Sequence, residues 1–174
     1  MLFKLFRQKI DQVFYRIVKD MYTGFTCAVR VHNDISSWFP ILTGVQQGAP
    51  LSMLLYELYI NDLLILLKNS DMGAKIECLN ITCPSYADDV ALIATSHGKM
   101  QHLLDIAHDY SKRWRYEFNA KKCEVVYFGK KIISIKMFHL GYESLNYVNG
   151  CIHLGTPLSP KLQYEDDFVK GKIY

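Results

Sequence analysis

Between Ser85 and Ala94 two adjacent aspartates, Asp88 and Asp89, separate two short runs of strand-forming and apolar residues, Ser85-Tyr86-Ala87 and Val90-Ala91-Leu92-Ile93. Strand, tight turn, strand is the local solution for such a pattern, with the polar pair at the bend. The pattern predicts a hairpin over residues 78–95 with both carboxylates at its tip. Two like charges so close repel, and open water or a divalent cation relieves the repulsion. A carboxylate pair in a fixed place is also what metal-dependent phosphoryl transfer requires. Local backbone hydrogen bonding selects Asp in turns as well, so the dipeptide alone leaves both readings open. Glu165-Asp166-Asp167 is the contrast: equally acidic, it lies in a polar tail without a strand pattern and reads as solvated surface.

The rest of the chain alternates between helical and strand periodicity. Phe6, Ile10, Val13, Phe14, Ile17, Val18 and Met21 follow helical spacing over residues 2–20, and Gly24 ends the element. Cys27, Val29 and Val31 alternate with Ala28, Arg30 and His32 as a strand, Asn33-Asp34 reads as a turn, and residues 35–41 as the return strand. After a loop with two glycines, Gly44 and Gly48, residues 51–68 read as a helix with Ser52 as N-cap and Leu54, Leu55, Leu58 and Leu66 as core. Ser96 caps a helix over residues 97–117, whose buried stripe is Met100, Leu103, Leu104, Ala107, Trp114 and Phe118. Short strands follow at 125–128, 132–139, 142–148 and 152–154, punctuated by Gly129, Gly141 and Gly150. This order implies an α+β domain, an antiparallel sheet with helices packed on one face.

Half of the 174 residues are apolar, enough for one ordinary domain with a real core. A net charge of +3 permits nucleic-acid binding without demanding it. Cys27, Cys78, Cys83, Cys123 and Cys151 form no Cys-x-x-Cys pair, which argues against a structural zinc site. Cys151 with His153 reads as strand packing. Free thiols in odd number suit a reducing intracellular compartment, nucleus or cytoplasm. The first residues lack the continuous apolar core of a signal peptide. The longest apolar run, 51–67, is broken by Glu57, Asn61 and Asp62 and reads as too polar to span a bilayer, so no membrane partner is expected. Oligomeric state is not legible.

Several blocks, in order, resemble one family. Gly44-Val45-Gln46-Gln47-Gly48-Ala49-Pro50-Leu51-Ser52, followed by Tyr59-Ile60-Asn61-Asp62-Leu63, is similar to the second palm block of reverse transcriptases, nearest the non-LTR (LINE-type) retrotransposon branch. Tyr86-Ala87-Asp88-Asp89 resembles their catalytic block, and Phe118-Asn119-Ala120-Lys121-Lys122-Cys123 the block after the next helix. His153-Leu154-Gly155 resembles the Tyr-Leu-Gly strand that closes the palm. The resemblance covers about residues 25–160. The departures are Met53 for a usual Pro, Cys123 for a common Thr and His153 for a common Tyr. The family's first palm block, an Asp-bearing strand, has no counterpart here: Asp11 and Asp20 fall in or at the end of a helical stretch. Residues 1–174 therefore read as one partial domain, a palm fragment without fingers or most of a thumb, and inactive by itself.

The resemblance implies RNA-directed DNA polymerase chemistry, with Asp88 as principal ligand and Asp89 as secondary ligand for Mg²⁺ or Mn²⁺. It places Tyr86 near the primer terminus, where strand packing is the plainer role. It places Gln47 and Gly48 where the incoming nucleotide and template base approach the backbone, although a helix-entry turn would use the same residues. Lys122 would lie near the leaving pyrophosphate, or simply be solvated. Leu154 and Gly155 would belong to the strand pair that grips the primer, or to a plain core strand. The implied partners are a primer on an RNA or DNA template and deoxynucleoside triphosphates. Other readings are a non-catalytic nucleic-acid-binding remnant of a retroelement and a group II intron maturase-like polymerase.

Overall fold

The structure is a computed structural model that describes residues 1–129 and 136–159. The acidic tail at 165–167 and the start of the strand expected at 132–139 lie outside the described residues. The chain forms two compact units, Met1–Asp62 and a second that begins at Leu63.

In the first unit the helical stretch expected over residues 2–20 is two helices, α1 (Leu2–Arg7) and α2 (Gln12–Tyr22). Lys9 takes a left-handed φ of +54°, and Asp11 caps α2 by accepting from the Val13 and Phe14 N–H groups at 2.9 and 3.2 Å. A carboxylate at the N-cap satisfies donors that the helix cannot. No Gly or Pro marks this break, so periodicity ran through it. Asp11 thus starts a helix rather than lying inside one. Of the apolar stripe, Val18 is fully buried and packs with Leu5 and Leu55, whereas Phe6, Val13, Ile17 and Met21 are exposed.

Lys4 is buried in this unit. Its ammonium meets the Asp62 carboxylate at 3.1 Å, the Tyr59 carbonyl and the face of the Tyr59 ring. Burial pushes the Lys4 pKa down, and the Asp62 partner pulls it back up. A charge in that position is tolerated only because it is paired.

Strands β1 (Thr26–Cys27), β2 (Arg30–Val31), β3 (Asp34–Ile35) and β4 (Phe39–Pro40) form one nested antiparallel hairpin, β2 on β3 and β1 on β4. The bend falls at His32-Asn33, one residue earlier than expected, because His32 supplies the φ of +54°.

Helix α3 (Pro50–Asn69) runs from the first unit into the second. Pro50 suits the first helical position, where its missing N–H is not needed. Ser52 is not the N-cap: it lies inside the helix, buried, 3.4 Å from the Tyr22 hydroxyl. The buried positions are Leu55, Ile60, Leu63 and Leu67, while Leu54 and Leu66 are exposed. A helix that is apolar nearly all round gives periodicity little to read. By length and composition α3 is also apolar enough to cross a bilayer, contrary to the expectation that its polar residues exclude this.

In the second unit β5 (Ala74–Ile76) and β6 (Leu79–Ile81) form a hairpin, followed by β7 (Ser85–Tyr86) and β8 (Asp89–Val90), which form another. Residues 78–81, expected in the first arm of the aspartate hairpin, belong instead to the preceding one. Gly73 lets the chain pass close to β6. A Cβ there would lie 2.5 Å from the Ile81 carbonyl oxygen and against the Asn80 and Thr82 side chains. Backbone cannot move aside as a side-chain tip can. Gly73→Ala is expected to destabilise by about 1–3 kcal/mol, the usual range for overpacking, read as a lower urea midpoint; an unchanged midpoint would refute this close approach.

Helix α4 (His97–Trp114) is capped by Ser96, whose hydroxyl accepts from the Lys99 N–H at 3.4 Å. Arg115, at φ +56°, ends it, so Phe118 lies beyond the helix and packs from the loop. After a 3-10 turn, Ala120–Lys122, come β9 (Glu124–Val126), β10 (Phe138–Leu140), β11 (Glu143–Val148), β12 (Cys151–His153) and β13 (Thr156–Leu158). The order β10-β11-β9 makes a three-stranded sheet in which β11 runs antiparallel to β10 but parallel to β9. Leu104 of α4 packs with Ala120, Phe138, Leu140 and Leu145 as the core, with Leu92, Met100, Phe118 and Val125 around it.

The α+β class stands, as helices with small sheets. A single antiparallel sheet carrying the aspartate hairpin does not: among the described residues there are six small sheets, and β7–β8 is one of its own. Most of these strands are two or three residues long. Strands this short can pair once and then turn away, which strand propensity in the sequence cannot reveal.

Candidate active site

Tyr86 pairs with Asp89 and Ser85 with Val90, and the ladder continues outward. The Ala91 N–H donates to the Pro84 carbonyl at 2.9 Å, and the Ile93 N–H to the Thr82 carbonyl at 2.8 Å. The hairpin therefore spans residues 82–93, with Ala87-Asp88 as its bend. Ala87 takes a φ of +51°, which costs an L-residue about 1–2 kcal/mol. That strain is tolerated because the flanking ladder over-determines the turn. Two attachments seat the hairpin. The Cys83 thiol lies 3.6 Å from the Leu64 carbonyl of α3, and Leu92 packs against the α4 core.

Asp88 is exposed at the bend. Asp89, beside it on β8, is half exposed, and its Oδ2 lies 3.1 Å from Nδ1 of His153. Tyr86, opposite Asp89, is 61% exposed, so packing does not hold its ring. Leu154 and Gly155 are not in a strand. They form the bend between β12 and β13, at φ +51° and +75°, directly after His153. The sequence-predicted residues Asp89 and Leu154-Gly155 are thus brought together through a histidine that the sequence assigned to strand packing. Nothing local in the sequence pairs His153 with Asp89.

Lys122 ends the 3-10 turn, exposed, and among the described residues joins neither carboxylate by a hydrogen bond or ion pair. Gln47 and Gly48 form an exposed turn just before α3, in the first unit. Gly48 sits at φ +80° with open space where a Cβ would point. Its backbone conformation is reason enough for glycine, and the open space leaves that backbone approachable.

The donor set suits a hard cation. Two adjacent carboxylates offer oxygen ligands in reach of solvent, and Mg²⁺ commonly takes one or two carboxylates and completes its shell with water and substrate phosphates. Among the described residues no group of three or more His, Cys, Asp and Glu converges as a complete cage.

The cysteines near the hairpin are subdued. Burial pushes the Cys83, Cys123 and Cys151 thiols up, and for Cys151 the Glu124 and Asp89 carboxylates add to the rise. The thiolate is the reactive form. Iodoacetamide at neutral pH is therefore expected to label exposed Cys78 ahead of these three, as mapped by mass spectrometry. Labelling of Cys151 as fast as Cys78 would mean that burial and the nearby carboxylates do not raise the Cys151 thiol.

The structure thus presents two adjacent carboxylates on one hairpin, with a second hairpin joined to it through His153. Comparison with known proteins gives the family. Residues 2–160 match the family described as reverse transcriptase (RNA-dependent DNA polymerase). The chain is 26% identical over 156 residues to the RNA-directed DNA polymerase from mobile element jockey of Drosophila melanogaster, covering 86% of this chain and 17% of that protein. It is 33% identical over 113 residues to the retrovirus-related Pol polyprotein from type-2 retrotransposable element R2DM of the same species, covering 65% and 11%. It is 30% identical over 116 residues to the transposon TX1 uncharacterized 149 kDa protein of Xenopus laevis, covering 66% and 8%. The chain belongs to the reverse transcriptase family, on the non-LTR retrotransposon side that its motifs indicated. It spans 17% or less of the length of these relatives.

Proposed function

We propose that these residues are the palm portion of an RNA-directed DNA polymerase that extends a primer 3′-hydroxyl on an RNA or DNA template in the nucleus or cytoplasm. The observation that carries this reading is the β7–β8 hairpin, which presents Asp88 and Asp89 to solvent on a rigid ladder. Asp88 would be the principal and Asp89 the secondary holder of Mg²⁺ or Mn²⁺. The bound cation would lower the pKa of the primer hydroxyl and neutralise triphosphate charge.

The chain's other residues would bind and orient. Gln47 offers both a donor and an acceptor to a base or ribose, and the open side of Gly48 lets the nucleotide lie against the backbone. The exposed Tyr86 ring would border the primer terminus, and the Leu154-Gly155 bend would rest on the primer backbone. Lys122 would supply a cation or a proton to the departing pyrophosphate.

One carboxylate block is not a complete site, since the family pattern includes an earlier palm aspartate. The 174 residues alone are therefore expected to extend a labelled primer on an RNA template no better than background with Mg²⁺. A longer chain that adds fingers and the first palm block in cis is expected to extend it. Extension by the 174 residues alone, abolished by Asp88→Ala, would overturn the partial-domain reading. No extension by the longer chain would overturn the polymerase reading.

A further inference from the structure

We infer that His153 is a positioning residue for Asp89: its imidazole holds the second carboxylate of the aspartate hairpin and ties the β12–β13 bend to the β7–β8 tip. The inference rests on the polymerase reading above and adds a residue to it.

Three observations carry it. His153 Nδ1 lies 3.1 Å from Asp89 Oδ2, and the histidine side chain is 19% exposed where the carboxylate is 51% exposed. The more buried partner has the less room to move and so restrains the other. The contact is also part of a face rather than a chance touch. Cys151, two residues earlier on β12, points to the same side by strand alternation, and its thiol feels the Asp89 and Glu124 carboxylates. His153 and Cys151 therefore share one face of β12, the face from which His153 reaches Asp89. Finally, the register is fixed. His153 pairs with Thr156 across the two-residue Leu154-Gly155 bend, so it occupies the last strand position before the turn.

A ring N–H that donates to a carboxylate restricts its rotamer and engages one oxygen, leaving the other for a further ligand. Asp89 is preset in this way, while Asp88 sits exposed at the bend. The two adjacent carboxylates thus differ in freedom although they are identical in chemistry. The Tyr common at position 153 in the resembling family would place its hydroxyl farther from the backbone than Nδ1, so this mode of restraint belongs to the histidine.

The test is Mn²⁺ binding to the chain, followed by paramagnetic resonance, in variants checked for folding by circular dichroism. His153→Phe keeps the ring and removes the donor. It is expected to weaken Mn²⁺ binding about 10-fold, as loss of a partner behind a metal ligand does. His153→Asn places an amide N–H near the position of Nδ1 and is expected to restore binding to near the parent value, a rescue that bulk packing would not give. In the unsubstituted chain without metal, the His153 ring resonances are expected to respond to Asp89→Asn and not to Asp88→Asn, which decides the contact even if His153→Phe fails to fold. Parent-like Mn²⁺ affinity in a folded His153→Phe, with Asp88→Asn still abolishing binding, overturns the positioning role and leaves the polymerase reading standing. Mn²⁺ affinity unchanged by Asp88→Asn removes that reading and the positioning role with it.

Discussion

Asp88→Asn in a chain competent for primer extension is expected to reduce the extension rate by at least about 100-fold, the scale of losing one element of transition-state charge stabilisation. The substitution is nearly isosteric. Asp88 is exposed at the bend of a hairpin whose ladder runs through backbone groups of residues 82–93, so the amide disturbs no packing. Thermal stability should stay close to that of the parent, because surface substitutions away from special features usually change stability by no more than about 0.5 kcal/mol. Only the negative charge is lost, and with it a ligand for a hard cation. The same change should remove the weak Mn²⁺ binding of the 174-residue chain, read by calorimetry. Full activity with an unaltered metal requirement would exclude Asp88 from the site.

Leu145→Ala is expected to cost about 2–5 kcal/mol, the range for truncating a fully packed leucine, where lost burial and a residual cavity add. Leu145 lies on the central strand β11, 2% exposed, among Leu104, Ala120, Phe138 and Leu140. That strand joins β10 on one side and β9 on the other, so a void there loosens both pairings and the face of α4 against them. Against the 5–15 kcal/mol of net stability usual for a domain, about a third of the total would go at the middle of both ranges. Urea denaturation followed by far-ultraviolet circular dichroism reads the effect. Leu54→Ala is the control: exposed on α3, it should change the midpoint little. Equal loss from both substitutions would mean that the core is misplaced.

What the sequence determined about this protein is local. Ser96 caps α4 because its hydroxyl needs only an N–H three residues on. The aspartate hairpin is legible because alternation on either side of a polar pair has one cheap local solution, although the bend falls at Ala87-Asp88 and leaves Asp89 on the strand. Gly48 adopts positive φ for reasons contained in its own backbone. Family membership came from several such blocks read in order, and the comparisons bear it out. The tertiary structure decided what depends on distant partners. Which face of α3 is buried, Leu55, Ile60, Leu63 and Leu67 rather than Leu54 and Leu66, follows from what packs on it, since the helix offers leucines on all sides. Lys4 reads as an ordinary surface cation until Asp62 and Tyr59 are seen around it. The parallel pairing of β9 with β11, and the meeting of His153 with Asp89, join residues far apart in sequence. Propensity and periodicity act over a few residues, whereas contacts of this kind are chosen by burial and chain path. The aspartate hairpin could be read from its own residues, whereas the β12–β13 hairpin and its meeting with the first came only from the fold.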